Sequence, residues 1–531
     1  MAKATTKTKT KTKTKATGAG GRTSGRSRPD AGSGARLIVR HYCQGIGDCH
    51  LLGFPRRDGT TFWILIDCGV HSAVSGGGDF MKGVATDIMA LTRGVIDVLV
   101  VTHEHTDHVS AFLSAKEVFS PLQVGEVWLA WTENPEDPQA RELDRYKTHA
   151  MAALNGAVSR LAEAGLGERS FGALGAAVEH VLNFSMGAKG DKVRAARDAA
   201  IKLTKGPVRY FEPGAGPLPL PGVDGVRVYV LGPPRDKALL GVTERASEMY
   251  LGSGSGGSAL SLALAGGMAA ALGGSALDEG CPFEADVGTS FSLLGGAKEP
   301  DPKRPVKAAL AEFAQARYFG DLPAPPALTP TGQPRRNGVD RNEIDQAWRR
   351  IDADWLGLSA DLAMQLDQRT NNTSLVLAFE FVDTGRVALF AADAQVGNWL
   401  SWQDRSWTVD GKTVRAADLM ARTVYLKVGH HGSHNATLRA KGLDLMTHPD
   451  LSAFVPVKAT DAANVGWKEM PYGPILDALA RACSGRVIRA DDAWLESGKP
   501  PFAVPSGSIR DLRPSKAAQG RVERWVEIHL A

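Results

Sequence analysis

Four side chains able to bind a metal fall within six consecutive positions of this chain: His103, His105, Asp107 and His108, in the run THEHTDH. Imidazole and carboxylate are ligands suited to zinc, manganese or iron. The run directly follows the apolar stretch VIDVLVV, so it reads as a turn leaving a buried strand. His103 and His105 alternate and can face one ion, and the turn then swings Asp107 and His108 toward a second. Two ions roughly 3.5–4 Å apart need a bridging group and further ligands. Asp393 follows the strand-like VALFAA, and His430 and His431 follow TVYLKVG. All three clusters therefore stand at strand ends, where a sheet can bring distant segments together. Two such ions activate a water at neutral pH and neutralise charge developing on a substrate oxygen, with Asp107 or Asp393 orienting the water. No Ser–His–Asp triad or phosphate-binding P-loop is visible, so covalent and nucleotide-driven schemes have little support.

The pattern HxHxDH, followed by a later strand-borne Asp and a later strand-borne His, resembles the metallo-β-lactamase superfamily. Asp67, in ILIDCG, matches that family's first motif, an aspartate that orients a metal ligand or its loop. The phrases YCQGIGDCHLL, VLGPP, NNTSLVLAFEF and LKVGHHGSHNAT are similar to the nuclease domain of competence-type DNA-uptake channels. This likeness covers most of residues 36–531 apart from a helical stretch and an insert. It implies an α/β fold, the αββα sandwich of the superfamily, with a helical or irregular insertion. It also implies two divalent ions, zinc or else manganese, held by His103, His105, Asp107, His108, Asp393 and His431, with Asp67 behind them. By the same analogy His431 is the ligand of the histidine pair and His430 faces the substrate as a hydrogen-bond or proton donor. The reverse assignment stays open, and His434 is a third choice.

The chain departs from the pattern in two places. Its opening, Gln44-Gly45-Ile46-Gly47-Asp48, carries an extra residue, and the third-motif histidine has no counterpart, Asn371 and Asn372 standing in that neighbourhood. The first ion is then left with His103, His105 and the bridging Asp393, and an open position completed by water or substrate. His149 and His180 lie in the right interval but project away from the apolar faces of their segments, and read as solvated.

The reaction implied is hydrolysis of a phosphodiester in DNA or RNA. The alternative is a metallo-hydrolase of a small ester, such as a cyclic nucleotide, a phosphocholine ester, a lactone or a thioester. A scaffold that has lost catalysis is disfavoured by the intact ligand set. The remaining histidines His41, His50, His71, His448 and His529 read as ordinary surface or packing residues. Trp399, Trp402 and Trp407 read as core packing before they read as a pocket wall or a base-stacking platform. Lys427 reads as a phosphate contact or as a solvent-facing lysine.

The elements that must position these residues are visible as apolar periodicity. ARLIVRHY, CHLLGF and TFWILID read as strands, 80–92 as a helix, VGEVWLAW as a strand and 137–205 as helical. VRVYVLG precedes a Gly- and Pro-rich insert at about 233–368. TSLVLAFEF, RVALFAADA, TVYLKVGHH, SAFVPV, ILDALARA and RWVEIHL then alternate strand and helix, as a layered α/β protein requires.

Composition frames the partners. Residues 1–35 hold nine of the 62 Lys and Arg and one acid, Asp30, leaving 53 basic and 57 acidic residues, a net of −4, in the rest. The tail, KTKTKTKTK and beyond, has almost no large apolar residue to bury, so it reads as a disordered basic segment able to attract a polyanion such as nucleic acid. The uncharged run at 259–277 is mostly Ala, Gly and Ser and reads as a packed or irregular insert, not a membrane span. No apolar stretch follows the N-terminal lysines as a secretory signal would require, and the five cysteines show no CxxC spacing. The expectation is a soluble cytoplasmic protein whose cysteines are small buried hydrophobes.

Overall fold

A computed structural model describes residues 34–163, 191–243, 245–249, 366–515 and 524–531. The tail up to residue 33, the run at 259–277, most of the expected insert, His180 and Cys281 lie outside the described residues.

The first half contributes β1 (Leu37–Tyr42), β2 (Cys49–Pro55), β3 (Thr61–Cys68), β4 (Val95–Val101), β5 (Gln123–Ala130) and β6 (Val208–Phe211). The second contributes β7 (Leu218–Pro219), β8 (Val226–Gly232), β9 (Val376–Phe381), β10 (Arg386–Phe390), β11 (Ser406–Val409), β12 (Lys412–Arg415), β13 (Thr423–Lys427), β14 (Ser452–Val455) and β15 (Val487–Arg489). Two last strands, β16 (Ile509–Pro514) and β17 (Trp525–Leu530), return to the first sheet. Among the described residues one sheet runs β16-β17-β1-β2-β3-β4-β5-β6 and the other β15-β14-β13-β10-β9-β8-β7, with β11 and β12 as a separate hairpin.

The chain is an α/β protein of mixed sheets. The two sheets repeat one pairing pattern. β1, β2 and β3 are antiparallel neighbours, and β4, β5 and β6 then add in parallel. β8, β9 and β10 are likewise antiparallel, and β13, β14 and β15 add in parallel.

Alternation along each strand assigns its two faces. In β4, Val98 and Val100 join Phe379, Phe390 and Phe454 of the other sheet in one core, while Leu99 and Val101 face the opposite way. That outer side is covered by the helices Gly77–Thr92 and Asp191–Ile201, through Met81, Ile88, Val193 and Ala196. The far side of the second sheet, with Ala378, Leu389 and Leu426, is covered by Val396–Ser401 and Gly473–Ala482. Buried on both faces, the central strands need the near-continuous apolar runs that the sequence contains. The stretch 137–205 includes the helices Pro138–Glu163 and Asp191–Ile201, the residues between them lying outside the described ones.

Trp399, Trp402 and Trp407 are buried in the second outer core, each indole N–H donating to an oxygen, so they are packing residues. Cys43, Cys49, Cys68 and Cys483 are buried free thiols. Among the described residues no helix is long and apolar enough to cross a membrane.

Candidate metal centre

The site forms where equivalent strands of the two sheets end. Asp67 closes β3 and the run from His103 to His108 leaves β4; Asp393 follows β10, and His430 and His431 follow β13. Of the seven described non-glycine residues with positive φ, Asp67, Ala392, His430 and His431 belong to these turns. A backbone held there costs on the order of 1–3 kcal/mol per residue, and such positions cluster at functional sites.

Asp107, His108, Asp393 and His431 each present a ligand atom within 4.8 Å of the others, and all four are buried. His108 Nε2 lies 3.0 Å from Asp393 Oδ2, and His431 Nε2 lies 2.9 Å from Asp107 Oδ2 and 3.6 Å from Asp393 Oδ2. His103 Nε2 and His105 Nδ1 converge at 3.1 Å, and the His103 and His108 ring centroids are 4.1 Å apart. The two sub-clusters are therefore contiguous.

Three of the four rings have their second nitrogen held by a hydrogen bond, and that of His105 only approaches a carboxylate. His108 Nδ1 meets Asp67 Oδ2 at 2.8 Å, and His431 Nδ1 donates to the Pro456 carbonyl at 3.1 Å. His103 Nδ1 sits 3.1 Å from Thr102 Oγ1 and 3.3 Å from Ser374 Oγ, and His105 Nε2 faces Asp367 Oδ1 at 3.5 Å. In His108 and His431 the nitrogen left over points into the cluster, which is how ligand histidines are oriented, and in His103 and His105 the remaining nitrogens face each other.

Charge follows the same logic. Burial works against a charge on His108, yet Asp393, Asp107 and Asp67 around it raise its pKa well above 6.5. Burial likewise opposes ionisation of Asp107 and Asp393, but His108 and His431 hold both carboxyls well below the usual range. Burial pushes His103 well down and His105 down to about 3, so both are neutral imidazoles, the form that binds metals. Buried carboxylates and imidazoles whose ligand atoms lie within 4.8 Å of one another are a donor set that fits a divalent cation.

Behind the cluster stands a supporting shell in which Asp67 has the place its motif implied, and the other members are visible only in the structure. Asp67 accepts from Thr102 N at 2.8 Å and from Thr102 Oγ1 at 2.6 Å, pinning the first residue of the turn. Glu104 alternates with His103 and His105 and so points away, where it pairs with Lys147 at 2.8 Å and with Arg197. Those partners lie on Pro138–Glu163 and Asp191–Ile201, tying the ligand turn to the helical layer.

Lys427 neither faces solvent nor is placed to meet a phosphate. It is 1 % exposed, pairs with Asp48, donates to Ala392 O at 3.0 Å and lies 3.6 Å from Asp393 Oδ1. With His430 N donating to the same Oδ1 at 3.1 Å, Asp393 keeps Oδ2 toward the cluster. His41 and His50 are also not surface residues. They are buried between the sheets, in a polar chain running Tyr425, His41, His50, Asp48, Lys427.

The opening QGIGD serves the turn through its backbone. Asp48 N donates to Asp107 O at 3.0 Å, and Gly69 N donates to Asp48 O at 3.0 Å. A Cβ on Gly47, whose φ is 134°, would lie 2.6 Å from the Asp107 and Gly69 carbonyl oxygens. One on Gly69 would collide with Asp107 and the His108 amide.

His430 is half-buried, with Nδ1 3.1 Å from Gln395 Nε2 and Nε2 3.3 Å from Asn371 Nδ2. A neutral imidazole accepts at one nitrogen only. One of the two amides therefore presents its oxygen, and both oxygens, Asn371 Oδ1 and Gln395 Oε1, are buried without another partner among the described residues. Asn371 thus reaches the site from the segment just before the strand β9. His434 packs edge-on against Tyr472 instead, and His149 is exposed on its helix. Compared with family models, with curated proteins and with solved structures, the chain has no match.

Proposed function

We propose that this chain is a metallo-β-lactamase-type hydrolase that holds two divalent ions, zinc or else manganese, and cleaves the phosphodiester bonds of DNA or RNA. The observation that carries the reading is the orientation of four histidines on two sheets. His108 and His431 have one nitrogen engaged by the protein and the other turned into a buried cluster with Asp107 and Asp393, and His103 and His105 turn toward each other beside it. The layering of two sheets between helices, with the cluster at strand ends, supports the αββα sandwich expected of that superfamily. The competence-type phrases HHGS and SLVL favour a phosphodiester over other esters.

His103, His105 and Asp393 would hold one ion, and His108, Asp107 and His431, also with Asp393, the other. Bound there, such ions supply an activated water and neutralise charge on the phosphoryl oxygen. The protein's own part is orientation. Asp67 sets the His108 ring, and Lys427 with the His430 amide sets Asp393. The half-buried His430 ring is held by Gln395 and Asn371 at the edge of the cluster, and a substrate that displaces Asn371 would take up its hydrogen bond.

The test is metal analysis of the purified chain beside hydrolysis of single-stranded DNA, double-stranded DNA, RNA and bis-p-nitrophenyl phosphate, before and after chelation. Bound metal with chelation-sensitive cleavage is expected. Small-ester hydrolysis is the second reading, favoured by the net charge of −4 outside the tail. Polymer cleavage weakens steeply with salt, and turnover of a neutral ester does not.

A further inference from the structure

A cavity of about 470 Å³ lies on the side of the ligand turn away from the metal cluster, with Glu104 in its wall. The volume falls within the roughly 300–1,000 Å³ usual for small-molecule sites. Its walls are the helix Pro138–Glu163, the helix Asp191–Ile201 and the segment 366–373, which also carries Asp367 beside His105 and Asn371 beside His430.

The charges of this wall do not cancel. Each of its carboxylates is already met: Glu104 by Lys147, Glu133 by Arg197, Asp144 by Arg194 and Glu142 by Lys237. Among the described residues that leaves two guanidinium groups of the wall, those of Arg141 and Arg369, with no carboxylate partner. Arg369 lies over the Tyr146 ring at 5.4 Å from its centroid, and Tyr146 is 36 % exposed. A guanidinium held by its face keeps its N–H edge for an anion, and bidentate recognition of phosphate is what that edge does best. An exposed aromatic beside it offers a surface to any base.

We propose that this cavity is a nucleotide-binding site, in which Arg369 and Arg141 take the phosphate and Tyr146 takes the base. It deepens the phosphodiester reading and rests on it for the choice of a nucleotide, but binding is measured without turnover, so either can fail alone.

The full-length metal-bearing chain is titrated calorimetrically with AMP, ribose 5-phosphate and inorganic phosphate. AMP is expected to bind about tenfold or more tightly than ribose 5-phosphate, the contribution of one stacked base. Tyr146→Ala should erase that preference, and Arg369→Gln should weaken both ligands about tenfold, as loss of a charge-assisted bond does. Circular dichroism melting confirms that both variants fold. Displacement of AMP by a phosphorothioate single strand assigns the site to a polymer, and failure of displacement assigns it to free nucleotide. No binding of AMP, equal binding of ribose 5-phosphate, or Tyr146→Ala and Arg369→Gln both matching the parent would overturn the proposal. AMP binding in a chain that hydrolyses no diester would leave the site standing and remove the nuclease reading.

Discussion

His431 turns its Nε2 to Asp107 Oδ2, 2.9 Å away across 324 positions of sequence, while its neighbour His430 turns to Gln395 and Asn371. Two adjacent histidines on left-handed backbone, φ 40° and 55°, thus point to different partners.

From that divergence, His431→Ala should lose metal and activity together. His430→Ala should keep its metal and lose roughly 10²–10⁴ in rate, the span of a positioned acid–base group. Metal counting on both purified variants decides: full occupancy in His431→Ala with depletion in His430→Ala would reverse the roles.

Asp67→Asn removes an acceptor that serves Thr102 N, Thr102 Oγ1 and His108 Nδ1 at once. A single amide oxygen cannot satisfy all three, and the amide N–H₂ opposes the His108 proton. Metal affinity should fall about 10–100-fold, as for other residues that orient a ligand from behind. Competition with a chromophoric chelator measures it, and unchanged affinity would mean that Asp67 does not set the His108 ring.

Lys427→Met should destabilise the chain by about 3–5 kcal/mol, because it leaves the Asp48 carboxylate buried without its cation. Adding Asp48→Asn should recover part of that loss. Urea unfolding of the two single variants and the double variant closes the cycle, and strictly additive losses would show that the pair is not coupled.

Away from the site, burial alone would push the Glu527 carboxyl up, but His529 and Arg40 outweigh it and bring it from 4.5 down to about 2. A depressed carboxyl stabilises the fold above its unfolded pKa and loses that contribution as pH falls through its folded one. The contribution here is roughly 3 kcal/mol, lost between about pH 4.5 and 2. Glu527→Gln should therefore be less stable than the parent near pH 7, with the gap narrowing as pH falls from about 4.5. A constant gap in urea midpoints from pH 7 to 3 would count against it.

How much of this is legible in the sequence depends on how local each signal is. The turn from His103 to His108 is legible because four candidate ligands in six positions follow an apolar strand, and Asp393 and the pair His430–His431 because each follows a strand of the same kind, the choice within the pair resting on the resemblance alone. The chain through Tyr425, His41, His50, Asp48 and Lys427 is not. Its members pair across 379 and 384 positions, and a histidine in a strand has the same local sequence whether it faces water or a tyrosine of the other sheet. Glu104 lies inside the motif, yet its role needs Lys147 and Arg197 on helices joined only in space. β12, KTVR, escapes notice because it is almost wholly exposed and so carries no apolar alternation.

The repeated pairing pattern of the two sheets has a mechanical consequence. One sheet carries Asp67 and the turn from His103 to His108, and the other carries Asp393 and His431. A strand advances about 3.3 Å per residue, so sliding one sheet over the other by a single residue would exceed the 3.0 Å from His108 to Asp393 and the 2.9 Å from His431 to Asp107. The cluster works as a vernier on the alignment of the sheets. Enlarging or emptying the shared core at Phe379, Phe390 or Phe454 would blunt its grip on an ion with every ligand still in place.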